Sequence, residues 1–318
     1  MASNSVGVVV AALIANGAIA ILKFGGFLLT GSPSMLAETY HSVSDTGNQV
    51  FLLVGIFYGR RERDRRHPFG YGKAQFFYSF LVSVMLFGIA GWESAKHGYH
   101  AITHGESAAV EGTLQLLGTS VPGVYVNYAV LAGGIVFEGY ALIKARAAMR
   151  QEIEEHDYDG YVDAFRKTSQ TTILTALTED TIALVGLVTA LVGIVLTRAT
   201  GNPIFDAAGA LFIGLMLMGF AVALAWENKR LILGESLTQT DERKVRETIE
   251  GHPDVREIVD LRTVYFGPND VMVAGDVAFA DGLTTDELDA AISTIEDDLR
   301  ALSLDIVKIY LEPERSNP

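Results

Sequence analysis

The chain has 318 residues, of which 49% are hydrophobic and none is cysteine, and it carries a formal net charge of −14. The absence of cysteine excludes a disulfide framework and thiolate metal sites. The charge is unevenly distributed, because residues 234–318 hold 20 acidic and only 8 basic side chains. So acidic a tail argues against nucleic acid as a partner, since phosphate binding needs Lys and Arg.

Long apolar blocks fill the chain up to about Glu227, and six of them reach the length of about 20 residues that a membrane-spanning helix needs. We therefore predict an α-helical membrane protein with a six-helix transmembrane domain in residues 1–232, embedded in a lipid bilayer. The six windows are roughly Val6–Leu29, Met35–Tyr58, Phe76–Gly98, Tyr125–Leu142, Thr171–Leu196 and Phe205–Trp226.

Basic residues are concentrated on one side of these windows. Because Lys and Arg accumulate on the cytoplasmic side, both termini and the acidic tail are expected there. We expect the membrane to be the plasma membrane of a bacterium or an archaeon. The basic residues between the second and third windows are Arg60, Arg61, Arg63, Arg65, Arg66 and Lys73, and those between the fourth and fifth are Lys144, Arg146, Arg150, Arg166 and Lys167.

A His-x-x-x-Asp pair, His41 and Asp45, lies inside the second window. A spacing of four residues places both side chains on one helix face. An imidazole nitrogen and a carboxylate are good ligands for Zn²⁺ and related ions. The fifth window contains Glu179 and Asp180, so His41, Asp45 and Asp180 could surround one ion if the two helices face each other. The alternative is a His–Asp hydrogen bond that only joins helices.

Other polar residues lie within the apolar windows, and each costs about 2.5–3.5 kcal/mol or needs a partner there. For these residues we favour structural pairing over metal binding, and we expect Lys23 to form an internal salt bridge with one of the carboxylates. They are Asn16, Lys23, Glu93, Glu138 and Asp206.

The loop after the second window contains Asp64 and His67, which could share a metal ion. A basic, lipid-facing loop with a turn at Pro68–Gly70 is the interpretation that we favour.

Residues 233–318 predict a small α+β domain of the ferredoxin-like kind, with the order helix, strand, strand, helix, strand. The strands Glu257–Tyr265 and Val271–Phe279 are joined by a Gly-Pro-Asn-Asp turn, and a last strand covers Asp305–Leu311. The helix Thr284–Leu302 has apolar residues at helical spacing. A core of about 80 residues is modest, so dimerisation would help its stability.

Several segments resemble the cation diffusion facilitator family along nearly the whole chain. They are Thr30-Gly-Ser-Pro-Ser-Met-Leu-Ala-Glu-Thr-Tyr-His-Ser-Val-Ser-Asp45, His67-Pro-Phe-Gly-Tyr-Gly-Lys-Ala-Gln75, the helix of Asp180, Leu233-Gly-Glu-Ser236 and Tyr310-Leu-Glu-Pro-Glu314. The residues of these segments are most similar to a divergent branch of the family that includes a mitochondrial zinc exporter of animals. The resemblance implies a homodimer of six-helix subunits with cytoplasmic ferredoxin-like domains, which exchanges a divalent metal for protons by alternating access.

The chain departs from the family pattern at three places. Ala176 stands where the family has a second His, so the fourth metal ligand would be Glu179, a water molecule or a neighbouring group such as Asn48. Tyr71 stands where the loop site after the second helix has its second His. The tail has only His252, whereas the family's cytoplasmic domain carries several His ligands.

A proton-coupled Zn²⁺ antiporter that works in efflux is the function that we predict. Metal ligands must lose their protons before they bind, so one site can hold either a cation or protons. His41 would carry the protons, since an unperturbed imidazole titrates near neutrality. Mn²⁺, Co²⁺ or Fe²⁺ are alternative substrates, because one His with several carboxylates is a hard ligand set. A transport-inactive metal sensor and a channel are further alternatives. An intramembrane metal hydrolase is not expected, because the chain contains no His-Glu-x-x-His motif.

Overall fold

A computed structural model describes residues 2–104, 112–116, 119–168, 170–302 and 304–314, apart from the side chains of residues 2–12, 15, 114–119, 171, 172 and 175. The chain divides into two compact units, residues 1–55 with 78–227 and residues 56–77 with 228–318. The boundary at residue 232 stays a prediction.

Long helices dominate the part of the chain that precedes the acidic tail. A helix from Lys73 to His104 is continuous but changes to π-helical geometry over one turn, which divides it into α3 and α4. The elements are α1 (Ala2–Thr30), α2 (Pro33–Gly59), α3 (Lys73–Met85), a π-helical turn (Leu86–Gly91), α4 (Trp92–His104), strands β1 (Thr113–Leu116) and β2 (Thr119–Pro122), α5 (Gly123–His156), α6 (Tyr161–Lys167), α7 (Thr171–Thr200) and α8 (Ile204–Leu233).

Within the described part of the chain, four helices are long and apolar enough to cross a membrane: Lys73–His104, Gly123–His156, Ala176–Thr200 and Ile204–Leu233. The helix α2 is 27 residues long, but polar side chains on its inner turns lower its hydropathy. The shorter apolar stretch Asn16–Thr30 belongs to α1, and several side chains of the window Val6–Leu29 lie outside the described residues. The structure therefore shows a helical membrane-type domain and does not confirm the count of six spanning helices.

Small residues allow the backbones of α4 and α8 to touch. A Cβ atom added at Gly98 would fall on the backbone of Leu211, and one added at Gly214 would fall on Ala95. Such close contacts drive helix association in lipid, where no hydrophobic effect pulls helices together.

Polar contacts tie the helix ends together on the side where α2 begins. Ser34 Oγ donates to the backbone oxygen of Asp206 at 2.7 Å, and Asp206 N donates to Thr197 Oγ1 at 3.0 Å. Asn127 Nδ2 donates to Thr30 Oγ1 at 2.8 Å, which links α5 to α1. The carboxylate of Asp206 accepts a hydrogen bond from Ser34 N at 3.3 Å, so it is engaged in structural pairing, as the sequence predicts. These contacts fix the lateral packing around the polar middle of the bundle.

The second unit contains α9 (Gln239–Glu250), β3 (Val255–Gly267), β4 (Asp270–Phe279), α10 (Thr285–Ala301) and β5 (Ile306–Glu314). This is the predicted order of helices and strands. The sheet has the order β3-β4-β5, with an antiparallel hairpin and a parallel pairing of β4 with β5. A capping box of Thr284 and Glu287 begins α10. Val273, Ile295 and Ile249 lie in the buried core between sheet and helices.

The segment 56–77 belongs to this second unit. The rings of Phe69 and Phe266 lie 5.0 Å apart, and Lys73 Nζ lies 5.1 Å from the centre of the Phe266 ring. Gly72 contacts the backbone of β3, because a Cβ atom there would fall on the Phe266 carbonyl. The basic loop, which the sequence predicts to face lipid, thus packs on the strand β3.

Candidate metal site

His41 and Asp45 lie on adjacent turns of α2 and point to the same place, as their spacing predicts. His41 Nδ1 and Asp45 Oδ1 are 3.5 Å apart, and the two residues are 1% and 9% exposed. Both ring nitrogens of His41 and Oδ1 of Asp45 are buried without a hydrogen-bond partner. A buried polar group without a partner is costly, so these atoms call for a ligand that the protein itself does not provide.

The acidic pair on α7 reaches α2 through Glu179. Asn48 Nδ2 donates to Glu179 Oε1 at 2.7 Å, and Asn48 is fully buried with its own Oδ1 unpartnered. Asp45 is also close enough to Glu179 for electrostatic interaction. Asp180 makes no hydrogen bond or ion pair with α2 among the described residues, and it interacts electrostatically with Glu179. Of the acidic pair, Glu179 and not Asp180 is thus hydrogen-bonded to α2.

The candidate ligands lie in one part of the bundle, but their ligand atoms are farther apart than those around a bound ion. Within the described residues, the three-member group of potential ligand atoms that lies within 4.8 Å is a different one, Glu152, Glu155 and His156. In that group Thr168 donates to Glu152 at 2.7 Å and Gln151 donates to Glu155 at 2.8 Å, so internal bonds already occupy it. The assignment of His41, Asp45, Asn48, Glu179 and Asp180 as ligands stays a prediction.

Two further carboxylates, Glu138 and Glu38, belong to the same buried cluster, although the sequence did not predict that they lie near the metal site. Glu138 on α5 interacts electrostatically with Asp45, Glu179 and Asp180. Glu38 on α2 is fully buried and forms a 2.8 Å ion pair with Lys23 Nζ. A salt bridge of Lys23 is therefore present as predicted, but its partner is Glu38 and not Glu93, Glu138 or Asp206. The sequence contains a signal for Glu38, because it lies three residues before His41 and therefore on the same face of α2.

The loop after α2 has an arrangement in which Tyr71 binds Asp64. Tyr71 Oη donates to Asp64 Oδ2 at 2.8 Å, and the backbone N–H groups of Arg66 and His67 donate to Asp64 Oδ1 at 2.8 and 2.7 Å. These bonds hold the pKa of Asp64 below its usual value, the Tyr71 bond most of all. Both oxygens of Asp64 therefore accept hydrogen bonds that stabilise the turn of this loop.

The described residues of the second unit include one histidine in its C-terminal part, His252. His252 Nδ1 accepts a hydrogen bond from Asp254 N at 3.3 Å, so it stabilises the turn after α9. In the described part of this unit, no group of three His or acidic residues brings its ligand atoms within 4.8 Å.

A family model described as the cation efflux transmembrane domain matches residues 9–233. The chain belongs to the cation efflux family. This is a family of transporters and not of enzymes.

Similar proteins fit this membership. The chain is 30% identical over 272 residues to a human protein named proton-coupled zinc antiporter SLC30A9, mitochondrial, an alignment that covers 86% of this chain and 45% of that protein. It is 28% identical to metal tolerance protein C4 of Arabidopsis thaliana, covering 85% and 56%. It is 25% identical to the magnetosome protein MamM of Paramagnetospirillum magneticum, covering 83% and 74%. The chain spans less than half the length of the human relative, whose mitochondrial name gives no support to a bacterial or archaeal plasma membrane.

Proposed function

We propose that this cation efflux protein exchanges a divalent metal cation, Zn²⁺ in the first place, for protons by alternating access. The observation that carries the proposal is that both ring nitrogens of His41 and Oδ1 of Asp45 are buried inside the helical domain without a hydrogen-bond partner. Intramembrane ionisable groups of this kind are typical of ion pathways and proton relays. The name of the human relative, a proton-coupled zinc antiporter, agrees with the proposal.

The proposed chemistry is a competition at one site. Asp45, Glu179 and Asp180 supply negative charge that offsets the loss of water by the metal, and His41 supplies a nitrogen ligand. Because these ligands bind a metal only when deprotonated, metal uptake releases protons and proton uptake releases metal. No separate proton pathway is needed for antiport.

The proposed architecture is a homodimer of subunits with six spanning helices each and a ferredoxin-like domain in residues 233–318. The three-stranded sheet with two helices on it supports that domain type. The basic residues after α2 and α5 support placing both termini on the cytoplasmic side of the membrane. Light scattering of the purified chain in detergent measures the subunit number directly.

A different divalent metal is the second candidate for the substrate. Because residue 176 is an alanine, α7 has no imidazole at that position, and Glu179 contributes a carboxylate to the cluster instead. A carboxylate-rich site favours harder ions such as Mn²⁺ more than a site with two imidazoles does. Competition of Mn²⁺, Co²⁺, Fe²⁺, Cd²⁺ and Mg²⁺ against Zn²⁺ flux ranks them.

Flux in proteoliposomes tests the proposal. An inward or outward pH gradient should drive saturable Zn²⁺ flux, and the variants His41→Ala, Asp45→Ala and Asp180→Ala should each abolish it. Wild-type flux in the Asp45 and Asp180 variants would remove this site assignment. Zn²⁺-dependent proton release without flux would favour a sensor, and flux indifferent to a pH gradient would favour a channel.

A further inference from the structure

Among the described residues, the ion pair with the least exposed side chains joins α1 to α2. Lys23 Nζ lies 2.8 Å from Glu38 Oε2, and the two side chains are 1% and 0% exposed. The second carboxylate oxygen, Glu38 Oε1, is buried without a hydrogen-bond partner. It faces α7, because a Cβ atom at Gly186 would fall directly on it. A pair that served only to join helices would be expected to satisfy both oxygens.

The pair lies next to the proposed transport site. Glu38 precedes His41 by three residues and Asp45 by seven, and both spacings return to the same face of α2. Seven residues correspond to roughly 10 Å along a helix axis. Lys23 is close enough to His41, Asp45 and Glu138 to interact with them electrostatically.

We propose that Lys23 and Glu38 are affinity-determining residues for the transport site, with opposite effects on metal binding. The ammonium group of Lys23 repels the incoming cation and keeps its affinity low enough for release. Glu38 neutralises part of that repulsion. This inference rests on the proposed function, because it concerns the binding of a metal at His41 and Asp45.

The sign of the effect separates this role from a merely structural one. If the pair only holds α1 against α2, removing either partner breaks it, and both single variants should weaken binding. If its charges act on the metal, Glu38→Gln should weaken Zn²⁺ binding and Lys23→Met should tighten it. At an effective dielectric constant of about 20, a unit charge and a divalent cation roughly 10 Å apart interact by more than the energy of a hundredfold change in affinity. Each single variant should therefore shift the affinity by at least about tenfold.

Zn²⁺ titration of the full-length chain in detergent, in competition with a fluorescent chelator at fixed pH, measures these shifts. The double variant Lys23→Met with Glu38→Gln removes both charges and should bind Zn²⁺ within about threefold of wild type. Because an unpaired lysine can lose its proton, Lys23→Arg with Glu38→Gln provides a positive charge that persists. It should bind at least about tenfold more weakly.

A charge-swapped variant covers the case in which a single variant does not fold. Lys23→Glu with Glu38→Lys keeps an ion pair but places the ammonium on α2, one turn from His41, and should bind at least about tenfold more weakly. Size-exclusion profiles and thermal unfolding show whether each variant is folded. The proposal is overturned if the folded single variants shift affinity in the same direction, if neither shifts it, or if the swapped variant binds like wild type.

A parallel Asp45→Asn variant separates this inference from the proposed function. Unchanged Zn²⁺ affinity in Asp45→Asn would overturn the transport site itself and the inference with it. Weakened affinity there, together with single variants that shift in the same direction, would overturn only the role of Lys23 and Glu38.

Discussion

Asn48 donates a 2.7 Å hydrogen bond from its side-chain amide to Oε1 of Glu179, and this contact joins α2 to the acidic pair on α7. Glu179 is thereby turned toward the helix that carries His41 and Asp45. A residue that helical spacing alone would place about 100° away from Asp180 thus becomes the nearest α7 carboxylate to α2.

We predict that Glu179→Gln weakens Zn²⁺ binding by at least about tenfold. The glutamine oxygen can still accept the hydrogen bond from Asn48, so the variant removes charge while keeping the contact. Loss of residues that only support metal ligands commonly costs 10–100-fold in affinity, and a direct ligand should cost no less. Glu93→Gln is the matched control, because Glu93 is partly exposed and pairs with Lys96 at 3.4 Å. Equal Zn²⁺ affinities for the Glu179 and Glu93 variants would exclude Glu179 as a ligand.

Ala176→His should shift the metal preference toward Zn²⁺ and away from Mn²⁺. A histidine there lies four residues before Asp180 and therefore on the same face of α7. Imidazole is a softer ligand than a carboxylate and favours Zn²⁺ over Mn²⁺. The ratio of Zn²⁺ to Mn²⁺ flux is the measurement, and Ala176→Gln controls for side-chain size. If both variants show the same ratio, position 176 does not face the metal.

Tyr71→Phe should loosen the segment between α2 and α3. The variant removes only the hydroxyl that donates to Asp64, and the ring contact with His67 at 4.1 Å can remain. Trypsin should then cleave several-fold faster at the arginines of residues 60–66. Tyr99→Phe, on the exposed side of α4, is the control. Unchanged cleavage would show that the backbone bonds to Asp64 suffice to hold the turn.

The same turn should lose its order at acidic pH. Because the pKa of Asp64 lies below the ordinary value of 3.8, its ionised form is favoured by the folded loop. This contribution is complete above pH 3.8 and is lost as the pH falls through the lower pKa of the folded loop. Hydrogen exchange of the Arg66 and His67 amides, taken as a ratio to Asp64→Asn at each pH, should show protection that decreases in this range. A ratio that does not change with pH would contradict the assignment.

Local patterns predicted the elements that depend on neighbours in the chain. The one-face arrangement of His41 and Asp45 follows from helical spacing, and the helix-strand-strand-helix-strand order of the tail follows from alternation and turn residues. The count of six spanning helices was not confirmed, because polar residues lower the hydropathy of α2 and part of α1 lies outside the described side chains.

The sequence by itself determined that residues with metal-binding chemistry lie inside apolar helices, because composition and spacing act over a few turns of one helix. Only the tertiary structure decided which of them meet. The pairing of Lys23 with Glu38, the bond from Asn48 to Glu179 and the approach of Glu138 each join different helices. Such contacts depend on the rotation and depth at which helices pack, and a single sequence carries no local signal for either. The physical reason is that burial obliges every charge to find a partner, while packing alone selects the partner.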